Sequence, residues 1–303
     1  MKVKLECPTN FLSASELEDI LVKYQSSLCS KNPDAVIVNP GTEKYLGWDH
    51  FSRYENLKVV GTPSTGTNHI DVLSLRENEI SVVCLLDDKD SLENIHASAE
   101  FTWVHVMNLA RKFSRAINSV DDWRSEENEL HLRSNELFGK KIGIVGVGRI
   151  GRKILSYAKA FGMSVMFYDP YVEHAKGAIK ADRIEELSDC DVITINCVLS
   201  NETREMITYG VWDDIKPGTI IVNTSRGEVV NEKYIASLIN GKGISYGADV
   251  LQGEQNLQKL RTSPIYELSE KENVVITPHV AGATKESQTK ALCYTLGLVR
   301  NLV

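Results

Sequence analysis

The stretch Lys140 to Asp169 constrains this chain more than any other. Ile142, Ile144 and Val145 form a short β-branched apolar run, as a buried parallel strand requires. Gly146, Gly148 and Gly151 follow at G-x-G-x-x-G spacing. Leu155, Ala158 and Phe161 recur at helical spacing, and Gly162 is placed to end that helix. Ser164 to Tyr168 reads as a second strand, which Asp169 closes 18 residues after Gly151.

Each part has a physical task. Gly146 permits a tight strand-to-helix turn, and Gly148 lets a pyrophosphate approach the backbone. Gly151 lets helix and strand pack closely, while the helix N-terminus turns its free N–H groups toward the phosphates. A carboxylate after the second strand accepts ribose hydroxyls and repels a 2′-phosphate, so Asp169 favours NAD over NADP. Strand, helix, strand and acid together predict dinucleotide binding.

At 303 residues the chain is expected to form two domains. A net charge of −7 argues against a general nucleic-acid or acidic-membrane surface. No apolar run approaches the roughly 18 residues of a membrane span, and Met1 to Pro8 lacks a leader pattern, so a cytoplasmic location is expected. Cys7, Cys29, Cys84, Cys190, Cys197 and Cys293 contain no C-x-x-C pair, which suits free thiols and no metal site.

Residues 1–97 read as a smaller α/β unit. Strands are predicted at Val3–Leu5, Ala35–Val38, Leu57–Val60 and Ile80–Leu86. A helix is predicted over Ser15–Leu28, with Ser13 or Ser15 as N-cap, and a turn at Asn39-Pro40-Gly41. Gly61 to Asp71 is the candidate functional loop of this unit. Ser98–Phe113 reads as a helix buried on several faces, with His105 a packed residue rather than a ligand. Val120–Leu137, with Asp121, Asp122, Glu126, Glu127 and Glu129, reads as a solvated arm.

Beyond Asp169 the βα alternation continues. Strands are expected at Asp191–Cys197, Thr219–Asn223, Ile244–Val250 and Val274–Ile276. Helical segments are expected at Arg183–Leu187, Val211–Ile215 and Asn231–Ile239, the last ended near Gly241. The fold class is therefore α/β: a doubly wound parallel sheet of Rossmann type with a second, smaller flavodoxin-like α/β domain.

Ligands of such sheets bind at the carboxyl ends of the strands. Those ends carry Arg226, then Asp249 and Glu254, then His279. A 2-hydroxy acid has a carboxylate to hold and a hydroxyl proton to remove while hydride leaves. Arg226 offers a bidentate fork. His279 can act as general base in oxidation and acid in reduction, with Glu254 fixing its tautomer.

These residues resemble the D-isomer-specific 2-hydroxyacid dehydrogenase family, in its phosphoglycerate dehydrogenase-like and glyoxylate-hydroxypyruvate reductase-like forms without a regulatory domain. The matching pieces are Glu136–Gly151, Val222–Val230, Gly247–Val250 and Thr277–Thr284, and Gly66–Asp71 resembles the family's substrate loop. The resemblance implies Arg226, Glu254 and His279 as the catalytic set, with Asp249 near the nicotinamide. Cofactor contacts are expected from Gly146, Gly148, Arg149, Ile150, Gly151 and Asp169. Further contacts are expected from Cys197, Thr203, Thr224, Asp249, His279 and Gly282, with NAD as cofactor. Ser64, Thr65 and Gly66 join Arg226 and His279 as expected substrate contacts. The implied domains are 1–97 with 285–303 for substrate and 98–284 for NAD, dimerising through 98–137.

Four departures from the family pattern stand out. Gln255 replaces the usual Pro after Glu254, whose assignment rests on its spacing of five from Asp249. Asn196-Cys-Val-Leu-Ser200 replaces the usual His-x-Pro-Leu-Thr, and the chain ends early, at Val303. Thr62 stands where phosphoglycerate-type members have Arg, so the expected substrate is a 2-hydroxy acid other than 3-phosphoglycerate, with Arg53 the alternative phosphate contact. The competing expectation is an NAD(H)-responsive, corepressor-like binding protein on the same fold. A third, formate oxidation, needs no base and leaves the Glu254–His279 pairing without a task.

Overall fold

The computed structural model describes residues 1–39, 45–67, 69–123 and 125–303, without the side chain of Asp122. Pro40 and Gly41 of the expected turn, Asn68 of the candidate loop and the Asp122 side chain of the arm lie outside the described residues. The chain divides into two compact units, Met1–Ile95 with Ala283–Val303, and His96–Gly282.

The first unit holds a five-stranded parallel sheet: β1 (Lys2–Glu6), β2 (Ser27–Leu28), β3 (Ala35–Val38), β4 (Val59–Thr62) and β5 (Ser81–Cys84). Its order, β2-β1-β3-β4-β5, is that of a flavodoxin-like sheet. β3 is buried on both faces, which is why it reads as an unbroken apolar run. Ala35 and Ile37 meet Leu292, Leu296 and Val299 of the Lys285–Arg300 helix. Val36 and Val38 point the other way, into Phe51, Tyr54, Ile70 and Leu75.

The second unit holds seven parallel strands: β6 (Lys141–Val145), β7 (Ser164–Tyr168), β8 (Ile179–Lys180), β9 (Val192–Ile195), β10 (Ile220–Asn223), β11 (Ser245–Ala248) and β12 (Val274–Ile276). They lie in the order β12-β11-β10-β9-β6-β7-β8, the doubly wound arrangement. The order reverses between β6 and β9, so their carboxyl ends frame the crevice where such sheets bind ligands. Helices Ala97–Arg111 and Arg149–Ala160 cover one face through Val106, Leu109, Ile154, Leu155 and Ala158. Trp212, Tyr234, Ile235, Leu238 and Ile239 cover the other.

Several elements differ from expectation. The first helix is Ala14–Lys23, with Ser13 as N-cap in a capping box, and Ser27–Leu28 pairs with β1 instead of continuing it. β4 starts two residues late, since Leu57 packs in the core outside the sheet. β5 stops at Cys84, and Leu85–Asp87 is a 3₁₀ turn. The long helix breaks at Lys112, whose φ of 50° is left-handed. Asn108 Oδ1 then accepts the Ser114 N–H, and Phe113–Ile117 forms a separate helix. The expected arm contains the helix Glu126–Leu132. The short helical turn expected at Val211–Ile215 is a turn around buried Trp212. Ile184–Asp189 is 3₁₀, and Glu232–Lys242 runs past Gly241 to a left-handed Gly243. Among the described residues no helix is long and apolar enough to cross a membrane.

Candidate active site

The glycine turn after β6 has three distinct roles. Gly146 has φ +85°, and a Cβ there would meet the Asn196 and Cys197 backbone at 3.2 Å. A Cβ on Gly151 would lie 2.0 Å from the Gly146 carbonyl oxygen, so the helix starts in close contact with the strand end. Around Gly148, by contrast, no atom lies within 4 Å of the Cβ position. Gly148 is also the N-cap and adds no side-chain cap. Among the described residues no side chain caps the start of this 12-residue helix, where the Ile150 and Gly151 N–H groups can meet an anion.

Asp169 is buried beside this turn. Its Oδ2 accepts the Val147 N–H at 2.9 Å and its Oδ1 the Tyr171 N–H at 2.9 Å. Each oxygen keeps a lone pair for a ribose hydroxyl. Arg149 and Ile150 are half-buried at the helix start. An open cradle, a helix start without a side-chain cap and a braced carboxylate fit a dinucleotide.

The remaining expected cofactor contacts fall into two groups. Cys197 lies at the glycine turn, its thiol pushed up to about 11 by burial. Gly282 is exposed after β12. Thr203 and Thr224 use their hydroxyls within the protein. Thr203 Oγ1 donates to the Val198 carbonyl at 2.6 Å and accepts the Ser200 N–H at 2.8 Å, closing its own loop. Thr224 Oγ1 lies 2.6 Å from Thr102 Oγ1 on the Ala97–Arg111 helix, turned into the interior.

The candidate catalytic residues come from three neighbouring strand ends. After β10, Asn223 accepts the Ser225 N–H and donates to the Arg226 carbonyl at 3.0 Å. Arg226 Nη1 donates to the Ser225 carbonyl at 2.7 Å. Among the described residues no carboxylate pairs with Arg226, so its fork can take a substrate carboxylate. After β12, His279 has φ +53°, and the N–H bonds of its turn explain how it stays there. Asp249, only 1% exposed, accepts the Val280 N–H at 2.9 Å and the Ala281 N–H at 2.8 Å. Its carbonyl accepts the His279 N–H at 2.9 Å. The Asp249 carboxylate thus holds the histidine turn.

Glu254 Oε1 lies 2.6 Å from His279 Nδ1, while its Oε2 accepts the Leu251 N–H at 3.1 Å. The His279 side chain is 48% exposed, so its Nε2 edge can meet substrate. The hydrogen bond to Glu254 raises the His279 pKa above its ordinary 6.5; partial burial and the nearby Arg226 charge oppose this, and Asp249 adds to it. Gln252 and Glu232, both overlooked in the sequence, steady the Glu254 loop. The Gln252 N–H donates to Glu232 at 2.7 Å and its amide donates to the Val230 carbonyl at 2.6 Å.

In the first unit, the Ser64 carbonyl accepts the Leu85 N–H at 2.8 Å. The N–H of Gly66, an expected substrate contact, donates to Ser64 Oγ at 3.1 Å. Among the described residues the N–H groups of Ser64 and Thr65 have no acceptor. Arg53 is paired with Glu6 at 3.1 Å, which reduces its value as a phosphate contact.

Residues 103–281 match the family described as D-isomer specific 2-hydroxyacid dehydrogenase, NAD binding domain. The chain belongs to the D-isomer specific 2-hydroxyacid dehydrogenase family. A D-3-phosphoglycerate dehydrogenase from Methanocaldococcus jannaschii is 33% identical over 267 residues, 86% of this chain and 48% of the relative. This dehydrogenase-family chain thus spans about half the length of the first curated relatives it matches. A hydroxypyruvate reductase from Thermotoga maritima is 28% identical over 95% of this chain and 88% of its own length. Among solved structures, the apo-structure of D-lactate dehydrogenase from Escherichia coli aligns with a TM-score of 0.81 at 26% identity, covering 100% of this chain and 96% of that one. The family's NAD-binding domain includes the glycine turn, Asp169, Arg226, Glu254 and His279.

Proposed function

We propose that this family member is an oxidoreductase that interconverts a D-2-hydroxy acid and its 2-oxo acid with NAD. The observation that carries it is the 2.6 Å Glu254–His279 pair beside an arginine without a carboxylate partner among the described residues. Gly146, Gly148, Gly151 and Asp169 would hold the dinucleotide, with Arg149, Ile150 and Cys197 beside them. When bound, the nicotinamide supplies the hydride acceptor or donor. Arg226 holds the substrate carboxylate and orients C2. His279 Nε2 takes the C2 hydroxyl proton in oxidation and returns one to the carbonyl oxygen in reduction. Glu254 keeps the proton of Nδ1 in place and stabilises the imidazolium. Within the first unit, Ser64 and Thr65 offer N–H groups of their own to a carboxylate.

The favoured substrate is not 3-phosphoglycerate. Thr62 is buried against His69, 3.3 Å from its Nε2, and Arg53 is occupied by Glu6. A cytoplasmic homodimer through 98–137 fits the exposed apolar side chains there. Val104, Phe113, Ile117, Val120 and Trp123 are all more than half exposed, Trp123 at 78%.

NADH oxidation against 2-oxo acids of graded size and charge tests the function. Turnover of at least one acid, lowered by roughly two to four decades in His279→Asn with NADH affinity retained, is the expected result. NADH fluorescence quenching without turnover of any acid would favour a binding protein of the corepressor kind. A kcat/KM highest for 3-phosphohydroxypyruvate, with the reverse reaction highest for 3-phosphoglycerate, would overturn the substrate assignment.

A further inference from the structure

His105 lies on the Ala97–Arg111 helix and is 2% exposed. Its ring fits where β11 has Gly247; a Cβ there would lie 2.9 Å from His105 Nδ1. Its Nε2 is 3.0 Å from Thr277 Oγ1, and Thr277 Oγ1 is 2.6 Å from Asp249 Oδ1. Asp249 in turn holds the N–H groups of Val280 and Ala281, and its carbonyl holds that of His279.

The proton directions along this chain are fixed. An ionised carboxylate only accepts, so the Thr277 hydroxyl donates to Asp249. The Thr277 oxygen must then accept, so His105 carries its proton on Nε2. His105 Nδ1 has no partner among the described residues. A second proton there would be a buried donor without an acceptor. Burial lowers the His105 pKa and the Asp249 charge opposes it, so the ring stays neutral in one tautomer. Asp249 is the charged group that faces His105, while Glu254, Arg226 and Asp249 face His279.

We propose that His105 is a positioning residue that acts through Thr277 to hold the Asp249 carboxylate, and with it the turn that presents His279. A histidine that only fills space would be replaced equally well by any side chain of similar volume. A donor role separates glutamine from leucine.

The test compares His105→Gln, which keeps a donor, with His105→Leu, which does not. The direct readout is the His279 imidazole titration by NMR in the full-length, ¹⁵N-histidine-labelled protein. His105→Leu should lower the His279 pKa by about half a unit or more, while His105→Gln stays near wild type. The activity readout rests on the oxidoreductase proposal: kcat should fall roughly tenfold in His105→Leu and recover in His105→Gln, with NADH affinity unchanged. The titration needs no turnover, so an inactive wild type would sink the oxidoreductase proposal and leave the relay testable. An unchanged His279 titration in folded His105→Leu overturns the relay. If that variant fails to fold, Thr277→Val cuts the same relay and is expected to give the same shift; no shift there overturns it too.

Discussion

Glu254 Oε1 sits 2.6 Å from His279 Nδ1, and this bond is the largest influence on the pKa of the proposed acid and base. It raises the His279 pKa above 6.5 against partial burial and the Arg226 charge. In the proposed reaction, reduction needs protonated His279 and oxidation needs it neutral. Reduction should therefore persist above pH 6.5 and decline as pH rises through the raised value, while oxidation gains over the same window. Glu254→Gln keeps the shape and removes the charge. The falling limb of the reductive kcat/KM profile should move to lower pH, with activity at pH 8 about tenfold below wild type. The bond's contribution to stability has the same sign. It is complete below the unfolded value and is lost as pH rises through the folded one. A profile unmoved in Glu254→Gln would deny the pairing its role.

Asp249 organises the main chain that carries His279. Three donors converge on its carboxylate: the Thr277 hydroxyl and the Val280 N–H on Oδ1, and the Ala281 N–H on Oδ2. Asparagine can replace only one of those oxygens, and its amide would oppose a donor. Asp249→Asn should cost about 1–3 kcal/mol in urea unfolding. It should also lower kcat by roughly 10²-fold by misplacing His279, while NADH affinity changes little. If nicotinamide contact were its main task, NADH affinity would fall first. Binding and single-turnover measurements separate the two.

The features legible in the sequence are those in which the backbone itself dictates the residue. Gly146 and Gly151 could be recognised because a side chain there collides with main chain. Arg226, Glu254 and His279 followed from strand ends plus spacing. Direction was not legible. Nothing in the order of residues tells that Thr224 turns inward to Thr102, that Thr203 closes its own loop, or that Asp249 accepts the N–H groups of the histidine turn. Helical spacing shows His105 as a packed residue, but not its bond to Thr277, which joins residues 172 positions apart. The two-residue strands β2 and β8 also escaped, being too short to show any periodicity.

Gly148 and Gly151 should respond differently to the same change. Gly148 has extended backbone, φ −67° and ψ −157°, and open space at its Cβ position. Gly148→Ala should fold with an unaltered Tm yet weaken NADH binding by about tenfold or more, roughly 1.4 kcal/mol, because the added methyl occupies the phosphate approach. Gly151→Ala places a methyl 2.0 Å from a carbonyl oxygen that cannot rotate away. It should lower stability by about 1–3 kcal/mol or more as the helix is forced off the strand. Thermal unfolding and NADH titration of both variants check the division. Equal loss of Tm in the two would mean that Gly148 is needed for folding.

Glu6 ends β1 in the first unit and gathers Lys4, His50, Arg53 and Tyr54 around one carboxylate. Burial alone would raise its pKa. Hydrogen bonds from His50, Tyr54 and Lys4 override that and bring it from 4.5 to about 2. The folded value lies below the unfolded one, so this stabilisation is complete above pH 4.5 and is lost as pH falls toward 2. Glu6→Gln should therefore lower the unfolding free energy at pH 7 by about 1–2 kcal/mol, a figure discounted for the half-exposed Arg53. The gap to wild type should narrow steadily between pH 4.5 and 2, because wild-type Glu6 becomes neutral there as well. Urea titrations at pH 7, 4 and 3 measure that gap. A gap that stays constant would assign the stabilisation to packing of the side chain rather than to its charge.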